Sequence, residues 1–361
     1  MKKLNFFVDC HVFDGNLQGT TTYLKGLYQE LIKDRNFNYF LAAYDIEILK
    51  EVFGNHDNVY FLKYQSKNKF FRLFYDIPKL ITQNNVDYAH FQYVVPPLKK
   101  CKYIVTIHDV LFLDFPHYFP LLYRVKNKIL FKYSAKKSDL VLTVSPYSKN
   151  KIEKHFKISN VKIIPNAVDP EYFKEYNKET EVQIVKNKYN LDNYFLFVSR
   201  WEPRKNHLTL LKTFVENGYY KKYKLVFVGD DAIENKPYNR YFKSLENEIK
   251  EQIIRFKKIE FYDLIHLIRA SSLSVYPSFA EGFGIPPLES IVCGIPTVCS
   301  NTTAMSDFDF MGDCLFDPTS EKDLNLKINN ALQDDLLEEK KRQVEIRYNW
   351  EFSAQIFKKS L

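Results

Sequence analysis

Glu281 and Glu289 bracket the stretch EGFGIPPLES, which also holds two of the ten glycines in a chain of 361 residues. A carboxylate accepts hydrogen bonds from hydroxyls, and glycine lets a ligand approach the main chain because no Cβ stands in the way. Pro286 and Pro287 fit the first turn of a helix, where the missing amide would have no intrahelical partner anyway. The preceding LSVYPS has the composition of a buried strand, so Gly282, Phe283 and Gly284 fall in a strand-to-helix loop, whose amides attract oxygen-rich or anionic groups. Counted as helical rise, eight positions separate the two carboxylates by about 12 Å. Two carboxylates acting on one glycosidic bond stand roughly 5 to 9.5 Å apart. The pair therefore suits the two ends of an extended ligand better than acid and base work on one bond. A nucleotide sugar is such a ligand, with a hexose at one end and a ribose at the other. The alternative is a glycine turn carrying two surface glutamates.

Upstream, FVSRWEPRKNH places Arg200 at a strand end and Lys205 at the entry to the helix-like NHLTLLKTFVEN. Two cations beside a helix N-terminus make a clamp for a diphosphate, neutralising charge that grows as a leaving group departs. Surface basic residues of no special role are the alternative.

The elements that must hold these groups follow from hydrophobic patterning. LNFFVDC, NYFLAAY, VDYAHFQY, KYIVTIHDV, DLVLTVS and VKIIPNAV read as strands separated by helix-like segments such as residues 20–33. A second series follows residue 170: YFLFVSR, YKLVFVG, KIEFYD, LSVYPS and IPTVCS. Two successive β-then-α series predict two Rossmann-like, doubly wound α/β domains with parallel sheets covered on both faces. The polar stretch 170–192 lacks periodicity and is read as the linker, giving domains of 1–170 and 193–345.

Charge divides at the same place. Residues 1–170 hold 25 Lys plus Arg against 15 Asp plus Glu, a net +10, within a whole-chain charge of +8. A basic face suits nucleic acid, an anionic membrane or an acidic substrate. Within it, KYQSKNKFFRLFY interleaves Lys63, Lys67, Lys69 and Arg72 with Phe70, Phe71 and Phe74. That pattern fits an interfacial helix over an anionic membrane surface, the alternative being an ordinary solvated face. The five cysteines form no Cys-x-x-Cys pair, which indicates neither a disulfide framework nor a thiolate zinc site and favours a reducing cytoplasmic setting. The N-terminal MKKLNFFVDCHV reads as a first strand rather than a leader, and no apolar run approaches the length of about eighteen residues that a membrane span needs.

With these residues in place, SRWEPRKN followed by EGFGIPPLES resembles the retaining glycosyltransferases of the GT-B fold, family 4, over most of the chain. DGNLQGTTTYLKGL, in which Gly19 opens a helix, IHDV, TVSPYSK, PNAVD and NWEFSA extend the resemblance. It implies two domains facing across a cleft, an N-terminal acceptor-binding domain onto which the C-terminal helix of about 346–361 packs back, and a C-terminal domain for the nucleotide sugar. It implies that Arg200 and Lys205 hold the donor diphosphate, Glu289 the ribose hydroxyls, and Glu281 with the Gly282, Phe283 and Gly284 backbone the transferred sugar. His108 would meet a sugar hydroxyl near the acceptor, so that the catalytic set is Glu281, His108, Arg200 and Lys205. Gly19 joins the donor residues, and Asp109 and Tyr23 join His108 on the acceptor side.

The implied reaction moves a hexosyl group from a nucleotide sugar, GDP-mannose before UDP-hexoses, to a glycan or lipid-linked glycan in cell-surface polysaccharide synthesis. No metal or other cofactor is implied, nor a nucleic-acid partner, and the place of action is the cytoplasm or the inner face of its membrane. Retention of configuration could use a covalent carboxylate intermediate, but the resemblance implies front-face attack with the donor's own phosphate taking the acceptor proton, and no carboxylate of the chain stands out as a nucleophile. The chain departs from the family pattern at Asp309, in NTTAMSDFDFMGDC, where a glutamate is usual, and in lacking an adjacent glycine pair in the first loop. DFD and the GDD of Gly229 to Asp231 imitate a metal motif without its strand context. A nicotinamide dehydrogenase is excluded by the absence of Gly-x-Gly-x-x-Gly after any strand. An idle sugar-nucleotide-binding scaffold and a basic nucleic-acid binder stay open at this point.

Overall fold

A computed structural model of the protein describes residues 3–15 and 19–361. The chain divides into two compact units, one of Met1–Ala167 with Trp350–Leu361 and one of Val168–Asn349. Met1, Lys2 and Asn16 to Gln18, the last three within the expected first glycine loop, lie outside the described residues.

In the first unit β1 (Leu4–Asp9), β2 (Phe37–Ala43), β3 (Val59–Lys63), β4 (Tyr88–Gln92), β5 (Lys102–Thr106), β6 (Leu140–Thr143) and β7 (Lys162–Ile163) form one sheet of order β3-β2-β1-β4-β5-β6-β7. In the second, β8 (Tyr194–Val198), β9 (Lys224–Val228), β10 (Ile253–Phe256), β11 (Leu273–Tyr276), β12 (Thr297–Ser300) and β13 (Leu315–Phe316) repeat the scheme as β10-β9-β8-β11-β12-β13. All pairings are parallel. Parallel strands are joined by crossovers that cover both faces, so their cores read as unbroken apolar runs: Phe6, Phe7 and Val8 are all buried, as are Phe195, Leu196 and Phe197. Strand order reverses between β1 and β4 and between β8 and β11, and at such switch points the loops leaving the carboxyl ends part to open a crevice.

Three features differ from the sequence-based expectation. Short strands β3 and β13 escape it because each is a half-buried edge piece with little alternation. The strand expected in KIEFYD lies earlier, at Ile253–Phe256, while Phe261–Ala270 is a helix with Ile265, Leu267 and Ile268 on its buried face. The supposed linker is an integral part of the second unit: Lys178–Tyr189 is a helix lying along Phe261–Ala270. Its packing is polar, with Glu181 buried against Arg269 at 3.3 Å and hydrogen-bonded to His266, which is why no apolar periodicity marks it. The crossing back falls at Trp350, within the stretch expected to return.

The helix Trp350–Ser360 returns to the first unit and lies on the helix Gly19–Leu31. Phe357 meets Phe6 and Tyr28, and Ser353 Oγ donates to the Pro165 carbonyl at 2.8 Å. A Cβ on Gly26 would stand 2.0 Å from the Trp350 ring, so glycine here makes room for a buried indole. Inside a helix Gly→Ala ordinarily stabilises by about 0.5–1 kcal/mol. Gly26→Ala should do the reverse, lowering stability by roughly 1–3 kcal/mol through overpacking, and Trp350→Leu in the same chain should recover part of the loss. Thermal denaturation of the two single variants and the double variant checks the sign and the coupling.

Candidate functional site

Two loops meet at the carboxyl ends of β8 and β11. Asn206, in the left-handed region at φ 58°, ends the turn Pro203–Lys205 and starts the helix His207–Glu216. Its Nδ2 donates to the carbonyls of Pro277 (3.0 Å) and Pro318 (2.8 Å). The Phe279 amide donates to the Arg204 carbonyl at 2.8 Å, and Arg204 Nη1 to the Ala280 carbonyl at 2.7 Å. These bonds bring Lys205 Nζ to 2.5 Å from Glu281 Oε1 and Arg204 Nη1 to 3.2 Å from Glu281 Oε2, while Arg204 Nη2 also reaches Glu202 at 2.7 Å. From the other side the Glu281 amide donates to Thr303 Oγ1 at 2.9 Å. Burial raises the Glu281 pKa, but the charges of Lys205 and Arg204 outweigh it and hold the carboxyl at about 2. Burial also lowers the Lys205 ammonium, against the pull of Glu281.

Arg200, two residues beyond β8, is exposed, and among the described residues its side chain makes no hydrogen bond or ion pair. The expected pair of free cations is therefore one free arginine and one lysine already paired with Glu281. Sequence reasoning missed Arg204 and Glu202, although the run EPRKN held the signal: a turn of three residues cannot aim Lys205 inward without carrying its neighbour along.

The helix following the glycines spans Ile285–Val292, with Pro286 and Pro287 in its first turn as expected. The spacing of about 12 Å assumed helix throughout, yet residues 281–284 are loop, so that arithmetic does not apply. Gly284 caps the helix at φ 102°, and a Cβ there would press on Met305 at 2.8 Å. That positive φ and the contact with Met305 already require glycine at this position. Phe283 is buried, edge-on to Phe308 and Tyr348; Gly282 lies between it and Glu281 and is half-buried. Glu289 has no side-chain hydrogen bond among the described residues, and burial, with the nearby charge of Asp169, pushes its carboxyl up to about 8.

In the first unit His108 follows β5. Its Nε2 donates to Gln92 Oε1 at 2.7 Å, and burial pushes its pKa down to about 3, so the imidazole is neutral. Behind it lies a chain that sequence reasoning missed: Tyr28 OH to His90 Nδ1 and His90 Nε2 to Thr106 Oγ1, both 2.7 Å. Asp109 accepts from the Leu111 amide at 3.1 Å and is half-buried. Tyr23 is 0% exposed, with its ring edge-on to His108 at 4.9 Å and to Trp350 at 6.1 Å. It supports His108 rather than facing an acceptor, which corrects the expectation. Gly19 is exposed at the start of its helix, beside the undescribed residues.

The basic stretch 63–74 divides. Phe70 is 72% exposed and Phe74 57% exposed, and Lys63 and Lys67 lie over the Tyr44 ring at 5.8 and 5.0 Å. Arg72, by contrast, is 8% exposed with Nε 3.7 Å from Asp9 Oδ2, in a cluster where Tyr64 OH and His11 also meet Asp9. It is a buried structural cation, not part of a basic surface, because the π-helical turn Arg72–Asp76 rotates it inward. Asp309 pairs with Arg347 at 2.6 Å and Asp231 with Lys257 at 2.9 Å. Among the described residues no group of three or more metal-ligating side chains converges, and no helix is long and apolar enough to cross a membrane.

Two doubly wound domains, one with a cation and carboxylate cluster at the strand carboxyl ends, define a protein of the GT-B class. Residues 178–350 match the model of glycosyl transferases group 1 and residues 17–172 that of glycosyltransferase family 4; the chain belongs to the family 4 glycosyltransferases. It is 29% identical to O-antigen chain mannosyltransferase B of Escherichia coli over 69% of this chain and 67% of that protein. It is also 29% identical to O-antigen chain mannosyltransferase RfbU of Salmonella typhimurium over 63% of this chain. The match spans 60% of the length of the latter and 25% of the length of a serotype-specific mannosyltransferase WbdA of Escherichia coli. Among solved structures, sucrose-phosphate synthase of Thermosynechococcus elongatus superposes with a TM-score of 0.75 at 16% identity, covering 99% of this chain and 98% of that one. HepE of Anabaena in complex with UDP and glucose gives 0.72 at 16%, covering 99% of both.

The ion-pair triangle sets an acid limit. The stability that Glu281 contributes is full above its ordinary value of 4.5 and is lost as pH falls from there toward about 2. Glu281→Gln should remove that acid dependence and weaken the second unit by roughly 3–5 kcal/mol at neutral pH, because two largely buried cations lose their partner. Adding Lys205→Met should restore part of it. Urea unfolding followed at neutral and acid pH checks both statements.

Proposed function

We propose that the protein is a retaining hexosyltransferase that takes a hexose from a nucleotide sugar, GDP-mannose before UDP-glucose, and passes it to a glycan or lipid-linked glycan of a cell-surface polysaccharide. One observation carries the reading: at the carboxyl ends of β8 and β11 the free cation Arg200, the Lys205–Glu281–Arg204 triangle and the unbonded carboxyl of Glu289 lie on adjoining segments. The mannosyltransferase names of the relatives support the donor sugar and the polysaccharide context, and the UDP and glucose held by HepE support the binding mode.

In this reading Arg200 and Lys205 take the diphosphate, Glu289 takes the ribose hydroxyls, and Glu281, fixed by Arg204, takes the hexose with the amides of residues 282–284. The bond from the anomeric carbon to the phosphate oxygen breaks while the acceptor hydroxyl attacks the same face, and its proton passes to the departing phosphate. The cations stabilise the charge that develops, and neutral His108, whose Nε2 proton is already given to Gln92, accepts a hydrogen bond from a sugar hydroxyl at Nδ1 without adding charge. No metal is assigned a step, and the second unit is assigned the donor and the first the acceptor.

Arg200→Ala should lower turnover by about 10²-fold or more, with little effect on stability because the side chain is exposed. Donor hydrolysis and transfer, assayed with GDP-mannose and UDP-glucose, test it; activity within a few-fold of wild type removes Arg200 from the mechanism. A second outcome concerns pH. If ribose hydroxyls bind the ionised form of Glu289, whose carboxyl stands at about 8 in the free protein, nucleoside diphosphate binding releases a proton. Affinity should then rise with pH, by up to about tenfold per unit below that value, and level off above it. Calorimetry in buffers of different ionisation enthalpy reads the proton directly, and Glu289→Gln should flatten the profile.

A further inference from the structure

The helix Leu121–Lys137 carries six basic residues and no acidic one. Among the described residues none of the six side chains makes an ion pair. A single narrow face holds the helix to the first unit. Phe131 stacks on Tyr93 at 4.8 Å and stands edge-on to Phe112, and Ser134 Oγ accepts from the Val95 amide at 3.1 Å. The opposite face is apolar as well. Leu122 (85% exposed), Val125, Ile129 and Tyr133 recur at spacings of three and four, which makes one stripe along the outside of the helix. Lys126, Lys128, Lys132 and Lys136 flank it.

A second exposed apolar group lies in the same unit. Phe70, Phe71, Phe74 and Tyr75, exposed around the turn Lys69–Asp76, line an open hollow with Ser66 and Asn68. Lys69 opens this turn, and burial, then the charges of Lys126 and Arg72, hold its ammonium below the ordinary lysine value. Apolar side chains left in water on two elements of one unit are costly unless something covers them.

We propose that the outer face of Leu121–Lys137, together with the aromatic turn at 70–75, is a docking surface for an anionic lipid bilayer. The helix lies in the headgroup plane with Leu122, Val125 and Ile129 sunk toward the acyl chains and the lysines in the phosphate layer. Charge complementarity selects this occupant. A second copy of the chain would bring twelve like charges together across the contact, since each copy contributes six and no acidic residue. Nucleic acid would pair with the lysines but leave the aliphatic stripe uncovered, because base stacking uses aromatic faces. Of the basic residues expected to form such a surface, Arg72 is buried against Asp9, and the lysines of Leu121–Lys137 extend the surface onto a further helix.

The test uses the full chain, without donor or acceptor, so its outcome is independent of the glycosyl-transfer reading. Sedimentation with vesicles of phosphatidylglycerol and phosphatidylcholine should show binding that weakens as salt rises, and vesicles of phosphatidylcholine alone should bind far less. The triple variant Lys126→Gln, Lys128→Gln, Lys132→Gln should bind the anionic vesicles about 10²-fold more weakly, at about five-fold per charge. The same change at Lys221, Lys222 and Lys236, exposed lysines of the second unit, should leave binding unaltered. Trp201 and Trp350 are both buried, so Leu122→Trp supplies a separable reporter whose emission should move to the blue on anionic vesicles. None of the substituted side chains is buried, and circular dichroism verifies the fold. The proposal is overturned if no binding occurs at low salt, if the first triple variant binds like wild type, if both triple variants lose binding equally, or if the emission of the Leu122→Trp variant does not move. It is also overturned if duplex DNA or single-stranded RNA binds the same helix more tightly than the anionic vesicles at equal salt.

Discussion

A charge taken out of water must find a partner, and at the mouth of β8 and β11 that requirement organises the whole site. Lys205 and Glu281 are 76 residues apart in the chain and 2.5 Å apart in space. Neither could occupy its place alone, since a buried ammonium or carboxylate without a partner is strongly destabilising. Arg204 closes the triangle and, through the Ala280 carbonyl, ties the pairing to the backbone of the opposite loop. Sheet order supplies the proximity: β8 and β11 are neighbours across the switch point, so their carboxyl-end loops meet. The charges then hold together what the topology has brought close.

At their candidate sites the two units handle polar burial differently, although the first also buries the Arg72–Asp9 pair. In the second, full charges face each other and the carboxylate of Glu281 stays ionised. In the first, the histidines behind the candidate acceptor side are neutral: burial lowers both His90 and His108 to about 3. With Gln92 Oε1 accepting from His108 Nε2, the ring is fixed in one tautomer and its remaining nitrogen can only accept. Thr106, His90 and Tyr28 continue the chain inward, and each is hydrogen-bonded to the next, as a network of this kind needs in order to be rigid. Tyr23, wedged edge-on against His108 and Trp350, joins this network to the C-terminal helix, so the last residues of the chain help set the position of a residue at the end of β5.

The distribution of net charge along the chain takes on meaning once pairing is visible. Many acidic residues of the second unit are taken up in ion pairs, whereas the basic surplus of the first includes a whole helix with no acidic residue. Where lysines meet exposed aliphatic residues, as on Leu121–Lys137, the unsatisfied surface is both electrostatic and hydrophobic, and only a ligand that answers both terms removes the cost. Arg72 shows how little sequence position says about this. It sits in the same basic run as Lys69, yet one π-helical turn carries it inward to Asp9, and it becomes part of the core.

Much of the architecture is legible in the chain itself. Doubly buried parallel strands must be apolar at every position, which makes β1, β2, β8 and β9 plain, and two prolines after a glycine loop mark a helix start wherever they occur. The glutamates and cations of the candidate donor site are visible as residue types at suggestive spacing, and their family resemblance extends over most of the chain. What the sequence by itself could not determine is orientation and partnership. Whether Lys205 is free or paired depends on a loop 76 residues away; whether Glu289 is ionised depends on how deeply the helix Ile285–Val292 is buried and on Asp169; whether Tyr23 meets a ligand or a tryptophan depends on a helix from the other end of the chain. The segment 170–192 looked like a linker because its helix packs through charges rather than through an apolar stripe. Leu121–Lys137 hid its character for the opposite reason, since both of its faces are apolar, and a one-dimensional pattern cannot tell the face that meets the core from the face that meets water. Local periodicity is a property of the chain, but burial and pairing belong to surfaces that exist only after distant segments have come together, and only the tertiary structure decides them.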